Sequence, residues 1–313
     1  MWRSLPRCAW GAFGCLLLCS SSPLWGQACC GPPTVSLAGT ERGIDTRSLL
    51  VLTLSYGFAR FDRTLDGTRL VADPLGRTAF SHTWRLEGEL TVGTDWSVLL
   101  SLPVTSKSRR FQLDTLGESY HAAGIGDAIA VLKRNFSPML SPWSLAAGLG
   151  LKLPTGTSDW EENGVRLPRD IQPGTGTWEA LLWGYASGLF FDGLIASALS
   201  ATLRLPLTAD ELGYRNGAEL QLLLLSSWLD SPIPALLPTL ALRLRTTGRD
   251  RLGSQPFPAT GGIWLDALPS MTLLFEPFAL RWQGMLPLWS RTNGVQLVHS
   301  WGVTAELQWT LRR

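Results

Sequence analysis

From Ser48 onward the hydrophobic positions recur every second residue. Between residues 48 and 58, Leu50, Leu52, Leu54, Tyr56 and Phe58 fall on one face, and Val51, Thr53, Ser55 and Gly57 on the other. This period marks a strand with one apolar face and one small or polar face. Trp84, Leu86, Leu90 and Val92 alternate in the same way with Arg85, Glu87, Glu89 and Thr91. So do Trp96, Val98, Leu100, Leu102 and Val104 with Ser97, Ser101 and Thr105, and Leu145, Ala147, Leu149, Leu151 and Leu153 with Ala146, Gly148, Gly150 and Lys152. Later come Leu240, Leu242 and Leu244 against Arg243 and Arg245, then Phe278, Leu280 and Trp282 against Arg281 and Gln283. The last stretch sets Leu297, His299, Trp301, Val303, Leu307, Trp309 and Leu311 against Ser300, Thr304, Glu306, Gln308 and Thr310.

These segments run about ten to thirteen residues, against about five or six for an ordinary globular strand. A strand tilted across a bilayer needs about nine to eleven. Twelve segments are predicted, beginning near residues 48, 81, 96, 124, 144, 178, 194, 217, 237, 262, 278 and 296. An even number suits a single-chain bacterial barrel. The fold class expected is all-β: a transmembrane antiparallel up-and-down β-barrel of about 12 strands, within a range of about 10–14.

The gaps between segments are 61–80, 94–95, 108–123, 137–143, 155–177, 191–193, 207–216, 230–236, 248–261, 275–277 and 289–295. Long and short gaps alternate almost throughout, with 289–295 the weakest case. Short periplasmic turns and longer external loops have this rhythm, which places both termini in the periplasm. Turn formers sit at the short gaps: Gly93, Thr94 and Asp95; Phe191, Asp192 and Gly193; Asp230, Ser231 and Pro232. One stretch, 180–203, is apolar except for Asp192 and has the hydropathy of a membrane helix. A central Asp costs such a helix about 2.5–3.5 kcal/mol, which favours two strands joined at Asp192 and Gly193.

Tryptophan adds a further clue. Of 15, Trp2, Trp10 and Trp25 precede the strands. Trp84, Trp96, Trp143, Trp178, Trp228, Trp264 and Trp289 lie near predicted strand ends, as in the aromatic girdles of membrane barrels. The competing reading is a large soluble two-sheet sandwich, which packs its apolar faces together.

Composition narrows the class. The 313 residues are 45% hydrophobic and 17% charged, which excludes a disordered or fibrous chain. The N-terminus has the marks of a cleaved export signal over residues 1–28. Arg3 and Arg7 precede an apolar stretch from Cys8 to Leu18, and Gly26, Gln27 and Ala28 end it. The organisation expected is a signal peptide (1–28), an N-terminal periplasmic or luminal segment (29–47) and an outer-membrane barrel (48–313). Lys and Arg total 27 and Asp and Glu 25, so removing Arg3 and Arg7 leaves no net charge. No basic stripe tracks phosphates, so nucleic acid is not an expected partner. All five cysteines fall within the first 30 residues, so the body carries no disulfide framework. Cys29 and Cys30 are read as an incidental thiol pair, with a soft-metal site as the alternative.

No metal, cofactor or catalytic constellation stands out. His82, His121 and His299 are the only histidines, with no ligand spacing and no nucleophile elbow. His299 is expected on the lipid side and Ser300 on the other, a poor arrangement for a hydrolase. Arg85, Glu87, Glu89, Lys152, Glu219, Arg243, Arg245, Arg281 and Glu306 share the face opposite the apolar one, and are expected to line the lumen. They suit either a structural ion-pair network or a polar conduit without strong ion preference.

Several glycine-rich stretches carry a family resemblance. They are Gly124, Ile125, Gly126 and Asp127 leading to Lys133; Ala147 to Lys152 followed by Pro154, Thr155 and Gly156; Gln172 to Thr177 with Gly174 and Gly176; and Asn293, Gly294, Val295 and Gln296. They resemble outer-membrane proteins of the MetA-pathway-of-phenol-degradation, or transporter-like, family. That family is similar in architecture to the fatty-acid and aromatic-hydrocarbon channels of the outer membrane. The resemblance spans about residues 48–311. It implies a non-enzymatic, porin-like channel in the outer membrane of a Gram-negative bacterium, taking up small hydrophobic or aromatic molecules. The expected partners are outer-membrane lipid, a small hydrophobic solute and, during biogenesis, the barrel-assembly machinery. Outer-membrane strands commonly finish with an aromatic residue; here the chain closes on Trp309, Thr310, Leu311, Arg312 and Arg313. Residues 29–46 are expected to enter the lumen as a plug, as in similar channels. A filled structural or adhesive barrel and an outer-membrane hydrolase remain the alternatives.

Overall fold

The computed structural model describes residues 38–113, 116–136 and 143–313. The predicted signal segment, Cys29 and Cys30 lie outside them. Twelve antiparallel barrel strands follow in chain order: β1 Ser48–Asp66, β2 Thr78–Val92, β3 Trp96–Leu113, β4 in two parts (Leu116–Ile125 and Ile129–Asn135), β5 Trp143–Lys152, β6 Glu179–Phe190, β7 Ile195–Pro206, β8 Glu219–Trp228, β9 Leu236–Thr247, β10 Gly262–Phe275, β11 Phe278–Thr292 and β12 Val295–Arg312. Each pairs with its sequence neighbours, and β12 closes on β1, with Ser48 opposite Arg312 and Ser55 opposite Glu306. Closure leaves no open sheet edge, which a hydrocarbon environment requires.

The period-two pattern explains which face goes where. Leu52, Leu54, Leu86, Leu90, Leu100, Leu102, Leu242 and Leu307 are exposed on the outer wall. Thr53, Ser55, Arg85, Glu87, Ser101, Arg243 and Glu306 are buried inside. A water-soluble sandwich has the opposite distribution. Among the described residues no helix is long and apolar enough to cross a membrane.

Residues 180–203 form the β6–β7 hairpin, not a helix. Phe191 and Asp192 adopt positive φ (53° and 54°) and the Gly193 amide donates to the Phe190 carbonyl, closing the turn before Ile195. The rim carrying Ser48 and Arg312 has the connections 93–95, 191–194, 229–235 and 276–277. The opposite rim carries 67–77, 153–178, 207–218 and 248–261.

Four expectations change. The predicted 108–123 loop is mostly strand, because β3 and β4 rise together as a long hairpin to Leu113 and Leu116. Polar residues there still alternate inside and out (Ser106, Lys107, Ser108, Arg109), so strand continued where apolar alternation ended. Likewise 289–295 shrinks to the Asn293–Gly294 turn, with Gly294 at φ 78°. Finally, His299 faces inward. The β1–β12 register shifts between Arg60 and Phe61, so Arg60 faces Trp301 while Phe61 faces His299. That irregularity absorbs Ser300 and reverses the inside–outside parity beyond it. His299 is 1% exposed while Trp301 stays outside. Trp264 also turns inward, beneath Arg245, although Trp96, Trp143, Trp178, Trp228 and Trp289 remain exposed.

Candidate functional site: the barrel lumen

The nine charges read from the inward face all point into the lumen. Arg85, Glu87, Glu89, Lys152, Arg243, Arg245 and Glu306 are buried there, and Glu219 and Arg281 are partly covered. The structure adds Lys133, Glu179, Arg204, Asp266 and Asp127 to them. From β5 to β12 every strand contributes an inward charge of alternating sign: Lys152, Glu179, Arg204, Glu219, Arg243, Asp266, Arg281, Glu306. Direct cross-strand register places Lys152 opposite Glu179, Arg204 opposite Glu219, Arg243 opposite Asp266 and Arg281 opposite Glu306. The resulting ion pairs are 2.9 Å for Lys152–Glu179, 2.7 Å for Arg204–Glu179, 3.5 Å for Arg204–Glu219, 2.8 Å for Arg243–Asp266 and 3.7 Å for Arg281–Glu306. Beyond β12, Arg85 lies 3.9 Å from Glu87, and Lys133 is 2.8 Å from Glu89. Neighbouring strands are about 4.8 Å apart. Within each pair the opposite charges compensate one another in a low-dielectric interior, while the pairs themselves are staggered in height, since register sets Glu219 opposite Thr247 and Asp266 opposite Pro287; together they form a staggered ionic ring. Such a ring offers no excess of either sign to select ions.

His299 joins this ring. Its Nε2 is 2.7 Å from one oxygen of Asp266, whose other oxygen accepts from Arg243. Ser300 instead donates to the Arg60 carbonyl. The Ser–His pair considered for hydrolysis at 299 and 300 is therefore not formed.

Residues 38–46 cross the lumen. Ala38–Thr40 is a short buried 3-10 turn. The Gly39 amide donates to Glu87 (3.0 Å), and its carbonyl accepts from Lys133 (2.6 Å). The Thr40 carbonyl accepts from Trp183 Nε1 (3.0 Å) and the Ser200 hydroxyl (2.7 Å). Glu41 pairs with Arg281 at 2.6 Å, Arg42 donates to Thr53, and Ile44 packs on Ala146 and Trp183. These contacts reach β1, β2, β4, β5, β6, β7 and β11, on opposite sides of the wall.

A second feature is apolar. Ala59, Phe61, Leu223, Ala241, Leu268, Met285 and Leu297 form one buried cluster along the inner wall, flanked by Ala79 and Leu225. It begins beside the ionic ring, where Arg243 donates to Met285 Sδ at 2.9 Å.

The glycine-rich residues also converge. At the break between the two parts of β4, Asp127 accepts from the Gly156 amide (3.1 Å), the Thr175 amide (3.0 Å) and hydroxyl (2.6 Å), and Lys152 (3.0 Å). Thr155 donates to the Gly126 carbonyl and accepts from the Ala128 amide. Gly124 and Gly126 lie against Pro173, and a Cβ on Gly156 would come within 2.7 Å of Gly126 and Gly174 backbone atoms. Pro154 opens this loop, and Gly176 turns it with φ 68°. Lys133 and Gly294 lie elsewhere, at the ring and the β11–β12 turn. This knot folds loop 153–178 across the mouth. Lys107 donates to the Gln172 carbonyl at 2.7 Å, Arg109 pairs with Asp170, Arg169 pairs with Asp210, and Leu167 and Ile171 bury against Ala122.

Two loop carboxylates give opposite pH responses. Burial opposes ionisation of Asp73. Hydrogen bonds from Arg77, the Leu75 amide and Thr64, with the Arg77 charge, outweigh it and hold its pKa below 3.8. Its contribution is complete above the ordinary carboxylate pKa and is lost as pH falls through the lower folded value. Burial raises Asp250 above 3.8, against hydrogen bonds from Tyr214 and the Gly217 amide. Its ionised form therefore costs folding stability above the unfolded pKa, and the cost lessens as pH falls through the raised value. Limited proteolysis on lowering pH from 7 should show no loosening of 248–261 before loop 67–77 opens, and the latter only below about pH 4. Cleavage of 67–77 near pH 6 contradicts the Asp73 assignment.

Sequence signals for the residues missed were uneven. Asp266 is the lone acid in an otherwise apolar strand, on the parity of Leu268, and a charge there has to avoid lipid. Glu179 and Arg204 flank a stretch whose alternation is blurred by Ala and Gly. Glu41 has no periodic context at all.

No family model matches this sequence, and no curated protein matches it. Solved structures do. An outer membrane channel from Pseudomonas putida F1 described as COG4313 superposes with TM-score 0.66 at 12% identity, covering 86% of this chain and 97% of that one. The β domain of the Bordetella autotransporter BrkA gives 0.49 at 9% identity over 83% and 99% of the chains. The CymD monoaromatic hydrocarbon channel gives 0.41 at 10% identity over 88% and 90%. At 12% identity the first superposition shows the fold: this chain is a closed 12-stranded β-barrel of the kind built by outer-membrane channels.

Proposed function

We propose that this protein is an outer-membrane channel for passive uptake of small hydrophobic or aromatic molecules, closed at rest by its own N-terminal segment. The observation that carries this reading is residues 38–46, bonded to opposite walls of a lumen that also has an apolar inner band. The rim carrying Ser48 and Arg312 faces the periplasm, and loops 67–77 and 153–178 form the external mouth. Residues 1–28 act as the export signal, the barrel-assembly machinery inserts the chain, and outer-membrane lipid surrounds it. The nine inward charges line the conduit beside the apolar band.

The test is solute flux in liposomes reconstituted with refolded mature chain and with a form lacking residues 29–46. Deletion should raise entry, with an apolar aromatic gaining more than a small sugar. Equal gains for both mean an open aqueous pore and overturn the solute class. Unchanged flux from a folded, inserted deletion variant overturns the plug. The mutual compensation of the ionic ring favours a second reading, a structural barrel with a filled lumen. No flux from either form selects it.

A further inference from the structure

The outer wall is mostly leucine, valine and tryptophan, but an arc toward the loop rim differs. On β12, β1 and β2, Phe58 lies 5.2 Å from Trp301, 5.1 Å from His82 and 6.2 Å from Phe80, ring centre to ring centre. His82 Nδ1 is 2.8 Å from the Tyr56 hydroxyl. These side chains point away from the lumen, since the inward neighbours Ser81 and Thr83 are buried. Below them the outward positions are Leu54 and Leu86; above them apolar residues end. The Arg60 guanidinium stands 5.9 Å over the Phe80 ring. Two strands away the outer face of β3 changes from Leu102 and Val104 to Ser106, Ser108 and exposed Arg110. Register places Arg60 opposite Phe80, Phe80 opposite Ser108 and Thr78 opposite Arg110. The two cations thus flank an aromatic platform, two strand spacings or about 10 Å apart.

Ionisable groups on a lipid-facing wall are costly unless they meet a headgroup. Aromatic rings at that depth supply faces for sugar C–H groups, and guanidinium forks match phosphate. Arg60 also pairs with Asp62 at 2.7 Å, but both are solvent-accessible (42% and 26%), so that pair orients Arg60 without consuming it. We propose that this arc binds the phosphorylated disaccharide head of an outer-leaflet glycolipid, with Arg60 and Arg110 on its phosphates and Phe80 beneath a sugar ring. The site rests on the reading that the barrel sits in an outer membrane, loop rim outward.

The test is native mass spectrometry of the refolded full mature barrel in phosphatidylcholine nanodiscs. The probes are a diphosphorylated acyl-glucosamine disaccharide lipid, its dephosphorylated form and inorganic phosphate. Folding and insertion are scored separately by heat-modifiable migration, so loss of the membrane reading is distinguishable from loss of the site. The diphosphorylated lipid should bind preferentially, and Arg60→Gln with Arg110→Gln should weaken it about tenfold or more. Phe80→Leu should weaken it several-fold with folding retained. Arg291→Gln, at an exposed arginine on β11, should leave it unchanged. Equal weakening by Arg291→Gln means diffuse charge attraction and overturns the site. Displacement by equimolar inorganic phosphate means a bare phosphate subsite and overturns the glycolipid. Unchanged capture by the folded double variant overturns both.

Discussion

Replacing Glu179 with Gln should destabilise the barrel by about 3–5 kcal/mol, the cost of removing one partner from a buried ion pair. Glu179 is the hub of the ring. One oxygen lies 2.9 Å from Lys152 and accepts from Asn216 at 3.0 Å, and the other meets Arg204 at 2.7 Å. The neutral amide keeps the shape but leaves Lys152, whose side chain is 3% exposed, with less compensation on that side. Lys152 retains Asp127, and Arg204 retains Glu219, so the loss belongs toward the lower end of that range. Urea unfolding of refolded protein, followed by tryptophan fluorescence, measures it. Glu179→Asp should lose less, because the charge opposite Lys152 and Arg204 is kept. A single-variant loss below about 1 kcal/mol, the worth of an exposed pair, contradicts the buried ring.

The second large effect is expected at the knot beneath the mouth. Gly174→Val inserts a branched side chain where even a Cβ would overlap the Gly156 backbone. No rotamer relieves that contact, since the obstacle is backbone on both sides. Loop 153–178 should separate from the β4 break, breaking the hydrogen bonds from Gly156 and Thr175 to Asp127 and the lid contacts of Lys107 and Arg169. Overpacking typically costs about 1–3 kcal/mol, and the Asp127 hydrogen bonds lost with it add to this. The measurable outcome is cleavage within 153–178 by added protease at concentrations that spare the parent, with heat-modifiable barrel migration retained. Asp127→Ala should reproduce the loosening without overlap. If neither variant exposes the loop, the knot is not what holds it.

The two sites differ in how far residues alone reveal them. The ring was half legible: Arg85, Glu87, Arg243 and Glu306 stand out because they alternate with large apolar residues, and lipid cannot accept charge. Lys152 showed the same parity, yet nothing local indicates that its counter-ion is Glu179, 27 positions on across the longest loop. The knot was visible only as recurring Gly, Pro and Thr. Its geometric meaning, three backbones in contact around one carboxylate, needs the β4 break and loop 153–178 to be brought together. The inward turn of His299 is not legible in the sequence because an extra residue in β12, Ser300, shifts the β1–β12 register, and sequence periodicity carries no mark of such an irregularity.

What the sequence by itself determined is local: strand period, the lipid-facing stripe, the Asp192 turn and the inward sign of most charges. These follow from the solvent on each side of a two-faced strand, a property that each residue and its near neighbours express. What only the tertiary structure decided is relational: closure of β12 on β1, the alternation of charge from strand to strand, the passage of residues 38–46 through the lumen and the inward turn of His299 and Trp264. Those depend on register and on contacts between residues as far apart as Glu41 and Arg281. The physical reason is that solvent preference is written one residue at a time, whereas charge compensation and close backbone contact exist only between positions that folding makes adjacent.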